Sequence, residues 1–277
     1  MNKRTISNDF LKLDYRTDSL RIVGLTPKGK KNLLADLSHL PAIPTPHGDF
    51  YFHGGHRLWH APEAMPRTYA PDTGDIIITQ FDDGLRLEAP TEPASGIGKQ
   101  IDIRLAPASP KVTLTHTLIN NGAWPVELAP WAITQFRLGG IVILPLPTEK
   151  IDESGLLPNR QFSFWTYSNL SDPRLTLQNE YSYFNATPGP AFKMGYFNSA
   201  GWLAYWIEGT LFKKTFAADA HTQYPDNNCN TEIYCNDGFV ELESLGGLIR
   251  LSPGETVEHG ETWELANTLP PDVAPPI

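Results

Sequence analysis

The chain is a succession of short strand-like segments separated by turn signals, and this pattern leaves room for little other than an all-β fold. Alternating or β-branched runs occupy 75–80, 85–89, 99–106, 111–119, 124–136, 139–146, 201–209 and 211–216. Turn sequences of the type DDG, NNG and SPG punctuate the chain, and no long apolar pattern has a helical period. Many short strands at close spacing predict a β-sandwich or β-barrel rather than βαβ units.

Size and charge narrow the class of protein further. With 277 residues the chain can bury a large core, and we expect a single domain over 1–277 with an extended tail at 268–277. A net charge of −9 and the lack of a long basic stretch argue against nucleic acid and anionic membranes as partners. No apolar run follows the N-terminus and none is long enough for a membrane span, so we expect a cytoplasmic protein. The oligomeric state is not indicated.

The last quarter of the chain gathers acidic residues on strand-like segments. Successive side chains of a strand point to opposite faces, so Glu241 and Glu243 share one face while Val240 and Leu242 occupy the other. Glu232 lies on the preceding strand-like segment. Carboxylates gathered on one face predict a wall of a polar cleft that binds a neutral, hydroxyl-rich ligand. The other interpretation is a strand whose charged face is simply solvated.

A second group of polar residues lies in the segment FYFHGGHRLWHAPE at 50–63. If residues 52–59 are extended, His53, Arg57 and Trp59 share one face and His56 lies on the other. So many polar and aromatic side chains in a short segment favour a binding site over a loop held by its own hydrogen bonds. His116, by contrast, alternates with apolar residues on its strand, which favours a histidine of the core.

The loop at 226–232 offers oxygen ligands at alternate positions, in Asp226, Asn228, Asn230 and Glu232. Hard cations such as Ca²⁺ prefer such ligands, but the loop lacks the glycine and the terminal glutamate of an EF-hand. A turn in which the side chains cap their own backbone is the favoured interpretation. The two cysteines form neither a disulfide framework nor a zinc motif, and nucleotide-binding and nucleophile motifs are missing, so no metal and no cofactor are predicted.

Several segments together resemble the galactose mutarotase (aldose 1-epimerase) superfamily. The segments EIYCND, VELESL and LSPGETVEH occur in the order of that family's C-terminal end, where a tyrosine-containing strand precedes the strand of the catalytic glutamate and a PGET turn leads into the last strand. The stretch TLTHTLINNGAWPVELAPW is similar to the family's mid-chain hairpin, and the HGG at 53–55 is similar to the segment that brings a histidine to the substrate.

The resemblance implies a fold, a ligand and roles for individual residues. It implies a large antiparallel β-supersandwich that binds a small-molecule carbohydrate, in which Glu243 is the general base of ring opening. We expect a histidine of the 53–60 segment, His53, to supply the acid. Trp131 stands where the family has its acid histidine, and an indole cannot protonate a ring oxygen. The chain therefore resembles a divergent branch of the superfamily. The residues expected to bind the substrate are His56, Arg57, Trp59, Trp131, Glu232 and Glu241.

Three functions remain open from the sequence. The first is an epimerase-like enzyme that interconverts sugar anomers by acid–base ring opening, for which His56, His60 and His116 are further acid candidates. The second is a catalytically silent sugar-binding domain that uses the same cleft. The third is a lyase or hydrolase of acidic polysaccharides, which the negative net charge disfavours.

Overall fold

The structure, a computed structural model, describes residues 2–65 and 67–271, and its regular elements are almost all β-strands. The strands of the first half are β1 Lys3–Ser7, β2 Leu11–Arg16, β3 Arg21–Pro27, β4 Ile43–Thr45, β5 Gly48–Phe50, β6 Gly55–Ala61, β7 Ile77–Phe81, β8 Gly84–Ala89, β9 Ile97–Leu105, β10 Lys111–Asn120, β11 Val126–Phe136 and β12 Gly140–Pro145. The second half contains β13 Phe162–Phe164, β14 Leu175–Leu177, β15 Tyr181–Ala186, β16 Phe192–Tyr196, β17 Trp202–Ile207, β18 Thr210–Phe216, α1 Pro225–Asn228, β19 Thr231–Cys235, β20 Val240–Leu245, β21 Ile249–Leu251 and β22 Thr256–Asn267.

Two large antiparallel sheets contain nearly all of these strands. The first sheet has the order β1-β2-β3-β6-β11-β20-β19-β16-β13, with β21 paired to the start of β11. The second sheet has the order β14-β15-β12-β17-β18-β22-β10-β9-β8-β7, and β4 and β5 form a separate hairpin. The first sheet brings β6, from the first quarter of the chain, beside β11 and places β20 on the other side of β11. Residues far apart in sequence therefore meet on one surface.

The main apolar core lies between the two sheets. Leu242 and Ile233 pair across β20 and β19 and face the second sheet, from which Phe212 and Trp263 pack toward them. Phe136 of β11 contacts Phe212 of β18 at a ring-centroid distance of 4.8 Å. The alternation predicted from the sequence is the cause, because every second side chain of these strands is apolar and buried.

The other face of the first sheet is also covered, although the sequence allowed a solvated face. All residues of β6 and β20 are buried. A second apolar cluster packs on this outer face around Trp59, Trp131 and Leu245, with Phe50 from the β4–β5 hairpin above them. A charged side chain on β20 is therefore enclosed on both sides and must find its partners inside the protein.

The predicted fold class is confirmed, and the predicted strand segments occur with shifts of only a few residues at their ends. The exception is the segment at 52–59, in which the strand begins only at Gly55 and His53 has a positive φ of 52°. Residues 268–271 have no regular secondary structure, and the rest of the predicted tail, 272–277, lies outside the described residues. In the part of the chain that the structure describes, no helix is long and apolar enough to cross a membrane.

Candidate functional site

The outer face of the first sheet collects most of the residues that the sequence singled out. The strands β6, β11, β20, β19 and β16 lie side by side, and their registers align the outward positions across the sheet. Trp59 pairs with Trp131, which pairs with Leu245, and Glu243 pairs with Glu232. The residues that share this face are Arg57, Trp59, Trp131, Ile133, Gln135, Glu241, Glu243, Glu232, Tyr234 and Lys193.

Glu243 is held by two donors and has one free oxygen. The indole nitrogen of Trp131 donates a hydrogen bond to Oε2 of Glu243 at 2.6 Å, and Nζ of Lys193 donates to the same oxygen at 3.0 Å. Both donors favour the ionised carboxylate. The second oxygen, Oε1, is buried and has no hydrogen-bond partner among residues 2–65 and 67–271. An ionised carboxylate with one unused oxygen is a suitable proton acceptor for a bound hydroxyl group.

Glu232 lies beside Glu243 and shares its cation. Nζ of Lys193 lies 2.7 Å from Oε2 of Glu232, but neither oxygen of this side chain makes a hydrogen bond of good geometry. Burial, together with the neighbouring Glu243 and Asp226, raises the pKa of Glu232 well above its ordinary value, although Lys193 opposes this shift. The two adjacent glutamates therefore have different environments.

The third carboxylate of the face, Glu241, is bound by two different groups. Nη2 of Arg57 donates to its Oε1 at 3.0 Å, and the side-chain amide of Gln135 donates to the same oxygen at 2.8 Å. Burial raises the pKa of Glu241 to about 7, with Arg57 acting against it and Glu243 adding to it. The Nε and Nη1 atoms of Arg57 and Oε1 of Gln135 are buried without partners. These atoms are donors and an acceptor for a polar ligand.

Aromatic rings surround the charged groups. The ammonium group of Lys193 lies 4.6 Å from the ring centroid of Trp131 and 4.7 Å from that of Trp165. The guanidinium of Arg57 lies 4.2 Å from the ring centroid of Trp59. Tyr167 is about half exposed and lies near Lys193 and Glu243. Flat rings beside carboxylates provide the combination of stacking surface and hydrogen-bond acceptors that suits a sugar.

The open cleft that the sequence predicted over Glu243 is closed in this structure. Glu243 and Glu232 have no exposed surface, because rings and the stem of Lys193 cover them. An open cavity with a volume of about 630 Å³ is lined by Asp226, Tyr224 and Gln161 among others. Asp226, which lines this cavity, interacts electrostatically with Glu232 and Lys193.

His53, the predicted acid, lies away from the carboxylates. Its positive φ breaks the alternation that would have placed it on the face of Arg57, because two glycines with positive φ, Gly54 and Gly55, follow it. The imidazole stacks on Tyr51 at 5.8 Å, and Arg21 is its strongest charged neighbour. Burial and Arg21 lower the pKa of His53 to about 4, so the ring is neutral near pH 7. The structure does not bring His53 and Glu243 together.

His56 and His116 lie between the two sheets, on the opposite face of the first sheet. Nε2 of His56 lies 2.7 Å from Nε2 of His116, and Nδ1 of His56 lies 2.9 Å from the Thr134 hydroxyl. Nδ1 of His116 contacts the carbonyl oxygen of His259, which can only accept, so this nitrogen carries the proton. The prediction of a core position for His116 is confirmed, whereas His56, predicted to bind the substrate, does not reach the site.

A metal would not fit well between these histidines. Ligand atoms of His56, His116 and Glu261 lie within 4.8 Å of one another. However, the ammonium group of Lys214 already lies 2.8 Å from Glu261, with both side chains fully buried. A divalent cation would add uncompensated charge next to this ammonium in a dry interior. The group is better explained as a hydrogen-bonded network around an ion pair.

The remaining polar features of the sequence have structural roles. His60 faces the interior and contacts Glu92 at 3.3 Å. In the loop at 226–232, Oδ1 of Asn228 accepts from the backbone of Tyr224, and Oδ1 of Asn230 accepts from the backbone of Asn198. Asn228 thus caps the backbone at the start of its own turn, as the turn interpretation requires, whereas Asn230 binds the backbone of a distant segment. Both cysteines are buried free thiols.

Two important residues of the face, Lys193 and Gln135, were not predicted. Lys193 stands between Phe192 and Met194, so the alternation of β16 places it opposite two core side chains. Gln135 similarly stands between Thr134 and Phe136 in β11. A single charged residue within an otherwise apolar strand is the signal that would have found Lys193, whereas Gln135, next to Thr134 at the end of β11, gives no such signal.

Comparisons with known proteins agree with this architecture. No protein-family model matches the chain, and no curated protein matches it by sequence. Among solved structures, a galactose mutarotase-like protein from Lactobacillus casei ATCC 334 is similar with a TM-score of 0.65 at 10% identity, over 95% of this chain and 100% of the other. The Slr1438 protein from Synechocystis sp. PCC 6803 gives a TM-score of 0.63 at 11% identity, over 96% of each chain.

A proposed aldose 1-epimerase from Escherichia coli K12 has a TM-score of 0.58 at 15% identity, over 96% of this chain and 99% of that one. The TM-scores establish the architecture. Because the sequence identities are low, the chemistry has to be argued from the side chains of this chain. The resemblance noted in the sequence and the arrangement of the two sheets agree with these similarities. The chain has the galactose mutarotase-like fold.

Proposed function

We propose that this protein binds a small-molecule carbohydrate on the outer face of its first sheet and acts as an aldose 1-epimerase-like isomerase. The observation that carries the proposal is the gathering of Glu232, Glu241 and Glu243 on that face, beside Trp59 and Trp131. The similar structures from L. casei and E. coli, described as galactose mutarotase-like and as a proposed aldose 1-epimerase, support this choice of ligand.

In this proposal Glu243 is the general base. Its free Oε1 takes the proton of the sugar's C1 hydroxyl, while Trp131 and Lys193 hold the other oxygen and keep the carboxylate ionised. Arg57 and Glu241 bind sugar hydroxyls through their unused hydrogen-bonding capacity. His53 has no part in the proposal, since its contacts lie elsewhere and its ring is neutral.

Entry of a sugar requires the covering aromatic side chains to move. Trp165 lies over Lys193, and Tyr167 of the same loop is half exposed and lies near Glu243. Displacement of these rings opens a path to the free oxygen of Glu243 without changing the sheet. We assign the same path to product release.

A catalytically silent sugar-binding domain is the second candidate. The complete burial of Glu243 and its ion pair with Lys193 favour it, because an enclosed, paired carboxylate can serve structure alone. In this case the sugar contacts only the outer rim, through Tyr167 and Tyr234. A cytoplasmic location and the lack of nucleic-acid or membrane partners stay predictions from the sequence.

Anomer exchange measured by NMR on a panel of free aldoses separates the two candidates. The proposal expects wild-type protein to accelerate exchange and Glu243→Gln to lose at least about 100-fold of that acceleration, the usual contribution of a general base. Glu127→Gln, on the exposed end of the neighbouring β11, is the matched control and keeps full activity. Sugar binding by the wild type without exchange supports the silent domain. Equal rates in wild type and Glu243→Gln would reject Glu243 as the base.

A further inference from the structure

The buried face contains more acidic groups than cations. The carboxyl groups of Glu232, Glu241 and Glu243 face only two cations, Lys193 and Arg57. All five side chains are at least nine-tenths buried. An uncompensated charge in a buried site is costly, and a carboxyl group can remove it by taking up a proton. Asp226, which is half-buried, adds a further carboxyl group beside Glu232. The charge count therefore indicates at least one proton held among these carboxyl groups.

The hydrogen bonds indicate which carboxyl group holds this proton. Glu243 accepts from Trp131 and Lys193, and Glu241 accepts from Arg57 and Gln135. Glu232, in contrast, has Lys193 as its one neighbouring cation and also faces the carboxyl group of Asp226, and among the described residues neither of its oxygens has a well-aligned hydrogen-bond donor. Donors stabilise the ionised form, so the carboxyl group with the fewest donors is the one that takes the proton.

We propose that Glu232 holds a proton at neutral pH and is the general acid of the site, in the place of the histidine that Trp131 replaces. The inference rests on the proposed function and deepens it by naming the acid that pairs with Glu243. Two neighbouring carboxyl groups, one protonated and one ionised, form a matched acid and base.

Cross-strand pairing places the two groups at the right spacing for a hemiacetal. Glu232 and Glu243 are directly opposite each other on β19 and β20, and such neighbours have Cβ atoms about 5 Å apart. The ring oxygen and the C1 hydroxyl oxygen of a sugar are bonded to the same carbon, so adjacent groups can reach both. Gly195, the partner of Glu232 on β16, leaves room for this side chain: a Cβ there would lie 2.8 Å from Cγ of Glu232.

The proton transfers of the step balance without any further reactant. Glu232 gives its proton to the ring oxygen as the bond between C1 and that oxygen breaks, and Glu243 takes the proton of the C1 hydroxyl as the carbonyl forms. Lys193 stays protonated and balances the one negative charge as it passes from Glu243 to Glu232. After rotation about the C1–C2 bond, both transfers reverse and the two groups return to their starting states.

The groups around Glu232 agree with this assignment. From the elements packed against it, the titratable and charged groups that face it are Lys193, Glu243, Glu241, Asp226, Cys229 and Tyr234. Only the first is a cation. Burial also raises the pKa of Asp226 and raises that of Cys229 to about 12, so this side of the site disfavours negative charge generally.

The first test compares anomer exchange in wild type, Glu232→Gln and the control Glu127→Gln. Glutamine keeps the shape but cannot release a proton, so we expect kcat to fall by at least about 100-fold while ligand-observed NMR still shows sugar binding. The alkaline limb of the pH–rate profile, which reports the acid, should disappear in the residual activity of the variant. An active wild type with an equally active Glu232→Gln, or with an unchanged alkaline limb, overturns the inference and leaves the proposed function standing.

The second test needs no activity and separates the two failures. Infrared spectra at pH 8.5, where Glu241 with its pKa of about 7 is largely ionised, should show the carbonyl stretch of a protonated carboxylic acid in wild type that is missing from Glu232→Gln. If that variant does not fold, the band should persist at pH 8.5 in Glu241→Gln and in Asp226→Asn, in which the two other carboxyl groups of raised pKa in the site are removed. If the wild type shows the band but does not accelerate anomer exchange of any sugar, the proposed function is refuted and the protonated Glu232 is not. Lack of the band in wild type refutes the protonated Glu232 itself.

Discussion

The largest change in stability is predicted for the buried ion pair between Lys214 and Glu261. Nζ of Lys214 lies 2.8 Å from Oε1 of Glu261, and both side chains are fully buried between the sheets. The carboxylate also accepts from the Ser244 hydroxyl at 2.5 Å and from the Trp263 indole at 2.8 Å. Replacement of Lys214 by methionine leaves this carboxylate without its cation in a dry core. Breaking a buried pair in this way costs about 3–5 kcal/mol.

That cost is a large part of the roughly 5–15 kcal/mol by which a domain is stable. Urea unfolding followed by far-UV circular dichroism measures it, and Lys213→Met is the matched control. Lys213 precedes Lys214 in β18, points to the other face of the sheet and is only half-buried. Its replacement should therefore lower the free energy of unfolding by less than about 1 kcal/mol. The double variant Lys214→Met/Glu261→Gln should recover most of the loss, because the uncharged glutamine can accept from the Trp263 indole through its oxygen and donate to the Ser244 hydroxyl through its amide nitrogen.

The destabilisation should also depend on pH. Burial by itself raises the pKa of Glu261, but Lys214 and the nearby histidines outweigh it and hold that pKa well below its ordinary range. Without Lys214, the pKa of Glu261 in the folded protein is expected to rise above its value in the unfolded chain. The variant therefore gains stability as the pH falls through this raised pKa. The gap between Lys214→Met and wild type should therefore be smaller at pH 5 than at pH 8. A coupling energy in the double-mutant cycle below about 1 kcal/mol would refute this account.

Two further predictions test the backbone and the thiols. Gly55 and Gly29 have nearly the same φ, +73° and +72°, but a Cβ at Gly55 would lie 2.0 Å from a carbonyl oxygen of β3 whereas Gly29 has open space. Gly29→Ala should cost about 1 kcal/mol and Gly55→Ala clearly more by urea unfolding, and equal costs would contradict the clash. Burial raises the pKa of Cys229 and of Cys235 to about 12, so neither thiol should react with Ellman's reagent at pH 8 until urea unfolds the protein, and rapid labelling of the native protein would disprove this.

Much of the fold is predictable because the strand signal is local. Alternation in the segment at 111–119 is visible in the letters, and the structure buries its apolar residues on the predicted face. The shared face of Glu241 and Glu243 follows from the same period of two. Their burial does not, since it depends on side chains from elsewhere in the chain, such as Lys193 of β16 and the Trp165 ring that lies beside it.

The site is less predictable because its contacts join distant strands. Lys193 meets Glu232 and Glu243 only because β16, β19 and β20 are adjacent in the first sheet, a pairing that no local pattern specifies. The position predicted for His53, on the same face as Arg57, is wrong for a local reason. That prediction requires residues 52–59 to be extended, whereas the two glycines that follow His53 have positive φ and the strand begins at Gly55. Glycine pairs inside a strand-like run are a signal of such a break.

Two of the buried polar groups, the Lys214–Glu261 pair and the carboxyl groups around Lys193, lie on opposite sides of the same pair of strands. Besides its ion pair, Lys214 donates to the carbonyl oxygens of Ala132 in β11 and Leu242 in β20, at 3.3 and 3.1 Å. Ala132 follows Trp131, and Leu242 lies between Glu241 and Glu243, so the ammonium group ties both strands together directly behind the carboxylates. Burying an ion pair contributes little net stability compared with an apolar core, but it fixes one geometry. That geometry aligns Trp131 of β11 with Glu243 of β20, whose side chains are joined by the 2.6 Å hydrogen bond.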